Sequence, residues 1–480
     1  MNYSLILRII GIMLILFSIM LFIPIIVSII YNDGNLSTFL LSSLIILTTG
    51  LILYYPNKNS KNDIKTKEGF LIVVAFWFIL SIFGSLPFML DKQLTLSFTD
   101  AFFESVSGWT TTGATIITSL DILSPSILIY RQELQWLGGM GLVILAIAIL
   151  PMLGVGGNLL YKAESTGPIK DTKISPRIAE TAQSLWSIYL GLTILCSLFY
   201  YFAGMNFFDA VAHGFSTIAI GGFSTHDASI GYFDSYLIEI ICIVFMLLSA
   251  MNFILHFMLL KSKNIHTYFE DTEFKSYIFI ILFLLLGLTI FTVNGNYSDI
   301  TVRQILFQTV SFITTSGFTS TAYDVWPTFI VSTLITISFI GACAGSTGGG
   351  LKVIRVLLMF KLLKKELLKI LHPTAEIPIK LDSSSINDDI STTLFNFFIF
   401  YILSFLFLSF LLLLTGLDVT TSFSAVASCI NNLGPALGSV ADNYSGISIF
   451  AKYVLSFAMI LGRLEIFTLL IVMTPYFWKF

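Results

Sequence analysis

The sequence predicts an all-α membrane protein in which four pseudo-symmetric repeats of helix, re-entrant pore loop and helix surround one pore, with two further transmembrane helices ahead of them. Three observations lead there. Of the 480 residues, 56% are hydrophobic and 11% charged, with 45 Phe, too apolar for a water-soluble globule of this size. Apolar runs recur along the whole chain, among them Leu5 to Tyr31, Phe70 to Leu90, Tyr236 to Leu260, Phe395 to Leu414 and Ile447 to Met473. At about 20 residues or more, each is long enough to span a bilayer. Four polar, glycine-bearing turns then interrupt this pattern in a common register.

Residues 1–56 supply the two leading helices. The first run lacks a small-residue cleavage site after a short apolar core, so it reads as a permanent helix rather than a removed signal. The repeats follow at 69–160, 180–262, 274–372 and 390–480. Lys and Arg gather in alternate connections: Lys58, Lys61, Lys65 and Lys67; Lys162, Lys170, Lys173 and Arg177; Lys261, Lys263 and Lys275; and the stretch from Lys352 to Lys380. The connections between them carry mainly Asp, such as Asp91, Asp121, Asp227, Asp234, Asp324 and Asp442. The positive-inside rule puts the basic set in the cytoplasm, with Arg8 and Lys479 both inside. Ten crossings satisfy this if each outer connection is a hairpin that dips in and returns. Those hairpins are where function is expected, because non-helical backbone at membrane depth is tolerated only inside protein or along a water-filled cavity. The net charge of -3 says little about partners, and Cys196, Cys242, Cys343 and Cys429 have no ligand or pairing pattern, so they read as packing residues.

The turns are SVSGWTTTGAT (105–115), GFSTIAIGGFST (214–225), VSFITTSGFTS (310–320) and ASCINNLGPAL (427–437). Aligned on Gly113, Gly222, Gly317 and Gly434, each has a serine six residues earlier: Ser107, Ser216, Ser311 and Ser428. The glycines are 109, 95 and 117 residues apart, room for two crossings, a hairpin and a connection. Thr and Gly also serve as close-packing residues in membrane helices, and one such loop alone would be read that way. Four in register are read as an ion path. A monovalent cation leaving water exchanges its hydration shell for oxygen ligands, which backbone carbonyls supply without a fixed charge that would hold it too tightly. Glycine permits the φ values that turn carbonyls inward. Segments beginning near Asp100, Asp209, Gln304 and Asp418 read as half-helices whose negative C-terminal ends point at the path, with acidic residues gathering cations at the outer mouth. Glu104 and His213, nine residues before their glycines, read as hydrogen-bonding partners behind the loops rather than as ligands.

At these residues the chain resembles the TrkH family of bacterial potassium uptake proteins, in the superfamily that also holds the KtrB proteins. The likeness runs over essentially the whole chain, through TTTGAT, RQELQWLGGMGLVILAIAILPMLGVGG (131–157), SPRIAETAQSLWSIYLGLT (175–193), GFSTIAIGGFSTHDASIGYF (214–233), GSTGGGLKVIR (345–355) and INNLGPALG (430–438). The two helices before residue 56 resemble TrkH rather than the shorter KtrB proteins. The resemblance implies that potassium is held by the carbonyls of Thr111, Thr112 and Gly113; Ile220, Gly221 and Gly222; Thr315, Ser316 and Gly317; and Asn432, Leu433 and Gly434.

Two features bear on gating. The run GACAGSTGGG (341–350) interrupts an apolar helix and cannot hold a regular helix in lipid. The resemblance makes Gly345, Ser346, Thr347, Gly348, Gly349 and Gly350 an intramembrane loop that blocks the pore; the residues alone also allow a plain hinge. Arg463 lies within the last apolar run, where a charge is costly and by default functional. Facing the pore, it would oppose an ion about 6 to 8 Å away by roughly 2 to 3 kcal/mol at an effective dielectric of about 20; the alternative is a structural lock with Glu465 or another carboxylate.

A membrane potential is worth about 2.3 kcal/mol per charge per 100 mV, which supports roughly fiftyfold accumulation without a coupled ion. No chain of buried acids marks a proton relay, although Glu133 and Glu239 near the outer face are candidates. A channel-like uptake pore is therefore expected, with a proton- or sodium-coupled symporter as the alternative; an enzyme is not, for want of a nucleophile and base or a metal cluster. Lys361, Lys364, Lys365 and Lys369 on an amphipathic stretch offer a docking surface for a soluble regulator or anionic lipid. The resemblance implies a TrkA-like cytosolic ring that carries the nucleotide, NAD or ATP/ADP, and a homodimer of this subunit. This chain itself is expected to bind nothing beyond potassium.

Overall fold

Apolar stretches become helices because in lipid each backbone N–H and C=O must be paired within its own segment. The computed structural model describes residues 1–60, 64–141, 178–375, 377–381, 384–386 and 388–479. Six of the described helices are long and apolar enough to cross a membrane: Tyr3–Tyr31, Leu36–Asn57, Thr66–Leu90, Gln183–Phe202, Thr272–Asn294 and Ser391–Leu413. The chain is thus a multi-pass, mostly helical membrane protein. A short antiparallel hairpin, Ile379–Leu381 with Ser384–Ile386, is the β-structure among the described residues. The two leading helices pack where Gly11 faces Gly50: a Cβ on Gly11 would lie 2.8 Å from the Gly50 oxygen. Small residues allow that approach, which in lipid supplies much of the packing energy.

Two runs expected to cross as single helices do not. Tyr236–Ala250 and Phe253–Ser262 meet at 92°, and Ile449–Arg463 and Phe467–Met473 at 116°. Counted as single spans, the pairs raise the total to eight. Pro125–Gly139 begins the second helix of repeat 1; its continuation to residue 160, and Lys162, Lys170, Lys173 and Arg177, lie outside the described residues, as does Lys61. In repeat 3 the helix Thr328–Ser338 stops at the glycine run and resumes as Val353–Leu371.

Between the helices of each repeat lies a half-helix: Phe98–Trp109, Phe207–Ala219, Val302–Thr314 and Val419–Ile430. Each starts with a polar N-cap whose side chain accepts the N–H three residues on: Ser97, Asn206, Thr301 and Asp418. Such caps satisfy one of the orphan donors of the first turn and are each worth about 1 kcal/mol.

Candidate functional site

All four half-helices end in the same way. The residue two before each glycine takes a left-handed conformation, with φ of 54° at Thr111, 55° at Ile220, 63° at Thr315 and 55° at Asn432. The next N–H then donates back to the carbonyl of the registered serine: Thr112 to Ser107 at 2.9 Å, Gly221 to Ser216 at 2.9 Å, Ser316 to Ser311 at 2.9 Å and Leu433 to Ser428 at 2.8 Å. This is a Schellman cap, and it turns the chain out of the helix toward a common centre. The glycines follow with φ of 80°, 78°, 78° and 98°, a region that disfavours any side chain.

The turns close into a ring in chain order. A Cβ on Gly113 would press on the Gly221 oxygen, one on Gly222 on the Ser316 oxygen, one on Gly317 on the Leu433 oxygen, and one on Gly434 on the Thr112 oxygen, each at under 3.0 Å. Each glycine of one repeat therefore packs directly against a main-chain oxygen of the next, and repeat 4 returns to repeat 1. Four half-helices with their negative ends at this centre, and carbonyls around it, can replace the hydration water of a bare monovalent cation.

On one side of the ring the run 341–350 is folded against the half-helix ends. Thr347 donates its hydroxyl to the Ile218 carbonyl at 3.0 Å, the Gly349 N–H donates to the Thr315 hydroxyl at 2.7 Å, and the Gly350 N–H to the Asn431 carbonyl at 3.1 Å. Repeats 2, 3 and 4 are thereby engaged. Arg463 reaches repeat 1, donating to the Thr111 hydroxyl at 3.1 Å, and also to the carbonyls of Thr347 at 2.9 Å and Gly138 at 2.8 Å. Glu465, considered from sequence as its partner, pairs with Arg355. The loop and the arginine stand at the bends: Cys343 N–H donates at 3.0 Å to the Ala250 carbonyl at the first, and Arg463 ends the helix at the second. The loop is anchored further by Glu273, whose carboxylate accepts Ala344 N–H at 2.7 Å and Ile354 N–H at 3.2 Å.

Behind the ring, Glu104 accepts from Arg131 at 2.8 Å and from Ile116 N–H at 3.0 Å, both side chains being fully buried. Arg131 also donates to the Ser224 carbonyl of repeat 2 at 3.1 Å. His213 lies between the Asp209 carbonyl and the Ser224 hydroxyl, each at 2.9 Å. Both thus brace the loops, as their position implied. Glu239 is clamped by Arg303 at 2.6 and 2.8 Å, and Glu133 is buried with no hydrogen-bond partner among the described residues. Two of the twelve residues expected to present oxygens have theirs already bonded: the Gly434 carbonyl accepts from the Tyr444 hydroxyl at 2.8 Å, and the Gly221 carbonyl from the Gln135 amide.

On the other side of the ring is a cavity of about 640 Å³ lined by the four glycines and by Asp227, Asp324 and Asp442. At its edge His226 bridges Asp121 at 2.6 Å and Asp209 at 3.2 Å and stacks on Tyr232 with ring centroids 3.4 Å apart. Burial alone would lower the pKa of His226, but its hydrogen bonds to the two carboxylates raise it above the ordinary value.

Asp418, read from sequence as a half-helix start, is an N-cap, but the other three caps, Ser97, Asn206 and Thr301, lie three residues before the starts expected; they were legible, since all four caps stand sixteen residues before their glycine. It also missed Gln135 and Glu273, whose partners are distant in the chain.

A family model described as TrkH, cation transport protein, matches residues 35–478. The chain is 50% identical to the Trk system potassium uptake protein TrkH of Vibrio parahaemolyticus and 48% identical to that of Escherichia coli, in each case over the full length of both chains. It is 38% identical to the Trk system potassium uptake protein TrkG of Escherichia coli over 98% of this chain and 97% of that one. The crystal structure of the potassium transporter TrkH from Vibrio parahaemolyticus superposes with a TM-score of 0.91 at 47% identity, covering all of both chains.

Proposed function

Because this chain belongs to the TrkH family of cation transport proteins, a family of transporters rather than enzymes, we propose that it takes up potassium across a bacterial inner membrane through the ring of four turns. The observation that carries the reading is the cyclic closure of the ring, in which each glycine meets a main-chain oxygen of the next repeat. In this mechanism potassium collects near Asp227, Asp324 and Asp442, sheds water, and passes oxygens contributed by Thr111 through Gly113, Ile220 through Gly222, Thr315 through Gly317 and Asn432 through Gly434. Half-helix dipoles offset part of the dehydration cost.

Residues 345–350 are the gate, and the contacts of Thr347, Gly349 and Gly350 with the half-helix ends are those of a closed state. Arg463 joins gate to ring and adds a positive charge that shortens the stay of an ion beneath it. Flow is driven by the membrane potential, about 2.3 kcal/mol per 100 mV, and needs no coupled ion. Val353–Leu371 leaves the gate directly and carries Lys361, Lys364, Lys365 and Lys369, so a cytosolic TrkA-like ring that binds NAD or ATP/ADP can act on the gate through it. The subunit works as a homodimer with both termini cytoplasmic.

The test is rubidium uptake into cells lacking their own potassium systems. Wild type restores uptake; Gly113→Asp, which puts a side chain against the Gly221 oxygen, abolishes it while the protein still reaches the membrane. Equal uptake by both would refute the pore. Accumulation beyond the level set by the potential would refute passive flow.

A further inference from the structure

Repeat 2 departs from the others at one ring position. The residue before the glycine is Thr112, Ser316 or Leu433 in repeats 1, 3 and 4, but Gly221 in repeat 2. The space a side chain would take there is filled from another repeat: the three atoms nearest a Cβ on Gly221, all under 3.0 Å away, belong to the amide of Gln135. Gln135 comes from Pro125–Gly139 of repeat 1 and is completely buried. It uses both ends of its amide on the repeat-2 loop. Its nitrogen donates to the Gly221 carbonyl, and its oxygen accepts the Phe223 N–H at 3.0 Å. Arg131 and Gln132 on the same helix bind the carbonyls of Ser224 at 3.1 Å and Phe223 at 3.3 Å, beyond the ring. Gln135 alone among these three reaches a ring oxygen, the one that lies against Gly113. The matching carbonyls of Thr112, Ser316 and Leu433 receive no hydrogen bond from any described residue.

We propose that Gln135 is the positioning residue that sets the ion specificity of the ring: it stands in for the side chain missing at Gly221 and fixes the direction of that one oxygen. The inference rests on the reading of the ring as a potassium filter. Gly221–Gly222 is the most freely rotating of the four turns, because neither residue carries a side chain to restrict its peptide planes. Once the amide bond is lost, the Gly221 oxygen can swing out of the ring, leaving three oxygens on a wider opening that water can share. A smaller, more strongly hydrated ion then competes on better terms.

The experiment uses the full chain in proteoliposomes and compares rubidium with sodium influx for wild type, Gln135→Met, Gln135→Ala, Gly221→Ala and Gly221→Ala with Gln135→Ala. Gln135→Met keeps the volume and removes both hydrogen bonds; it is expected to lower the rubidium-to-sodium ratio about tenfold and to raise KM for rubidium while leaving the maximal rate near wild type. Gly221→Ala stops flux, because the new methyl overlaps the Gln135 amide, and adding Gln135→Ala restores flux at low selectivity. If Gly221→Ala fails to elute as a monodisperse protein, the Gln135→Met ratio decides the matter. A wild type that passes sodium as readily as rubidium overturns the filter reading itself. A wild type that selects rubidium, with a Gln135→Met that selects it equally, overturns only the role of Gln135.

Discussion

Replacing Arg131 by methionine removes the cation from a carboxylate with no access to water. Glu104 would keep the Ile116 N–H at 3.0 Å and the Thr115 hydroxyl at 3.0 Å and lose the guanidinium at 2.8 Å. At that separation and an effective dielectric of about 20 the attraction is about 6 kcal/mol. Part of it only offsets desolvation, so the loss on breaking the pair is about 3 to 5 kcal/mol. The loss also reaches function, since Arg131 joins Thr115 of repeat 1 to Ser224 of repeat 2 just beyond the ring. Removing both charges as Glu104→Leu with Arg131→Met leaves an unpaired Ile116 N–H, a cost of about 1 to 3 kcal/mol, and no orphaned charge. The double variant is therefore expected to be less damaged than the sum of the single variants by at least about 2 kcal/mol. Denaturant unfolding of the detergent-solubilised protein measures each value, and rubidium influx reports the pore. Strict additivity, or an Arg131→Met variant within about 1 kcal/mol of wild type, would refute the view that this pair is a desolvated brace.

A Cβ on Gly349 would press on the Asn431 oxygen, so Gly349→Ala should push the gate off the half-helix ends and break the Gly350 and Gly349 N–H bonds. Two bonds of about 1 kcal/mol each imply at least tenfold more open gate, read as higher rubidium leak in proteoliposomes without a regulatory partner; an unchanged leak would sink the closed-gate assignment. His226 predicts a pH effect. Its pKa is raised in the folded protein, so the stability it contributes is complete below the ordinary histidine range and fades as pH climbs through the raised value. The thermal stability gap between wild type and His226→Gln should shrink as pH is raised from below the ordinary histidine range to well above it, and a gap that stays constant would show that the bridge is not carried by the charged ring.

The half-helices and their turns were legible because their causes are local. The serine, the left-handed residue and the glycine lie within seven consecutive positions, and the cap that joins Thr112 to Ser107, or Leu433 to Ser428, needs no other part of the chain. Membrane residence was legible for the same reason, since composition alone decides whether Tyr3–Tyr31 or Thr272–Asn294 prefers lipid. The bends at Met251 and Glu465 were not legible. Each interrupts a run that reads as one apolar span, and each is stabilised by groups far away: the first by Cys343, the second where Arg355 takes Glu465 from a position 110 residues earlier. The choice of partners for Arg463, Gln135 and Glu273 is of this kind too. Spacing along a helix says which residues share a face, but not which distant carbonyl that face will meet. By itself the sequence determined that four glycine turns exist in a common register and how each is built; only the tertiary structure decided that they close in chain order, which oxygens stay open and which are already bonded, because those outcomes depend on contacts between segments that backbone geometry brings together and local propensity does not encode.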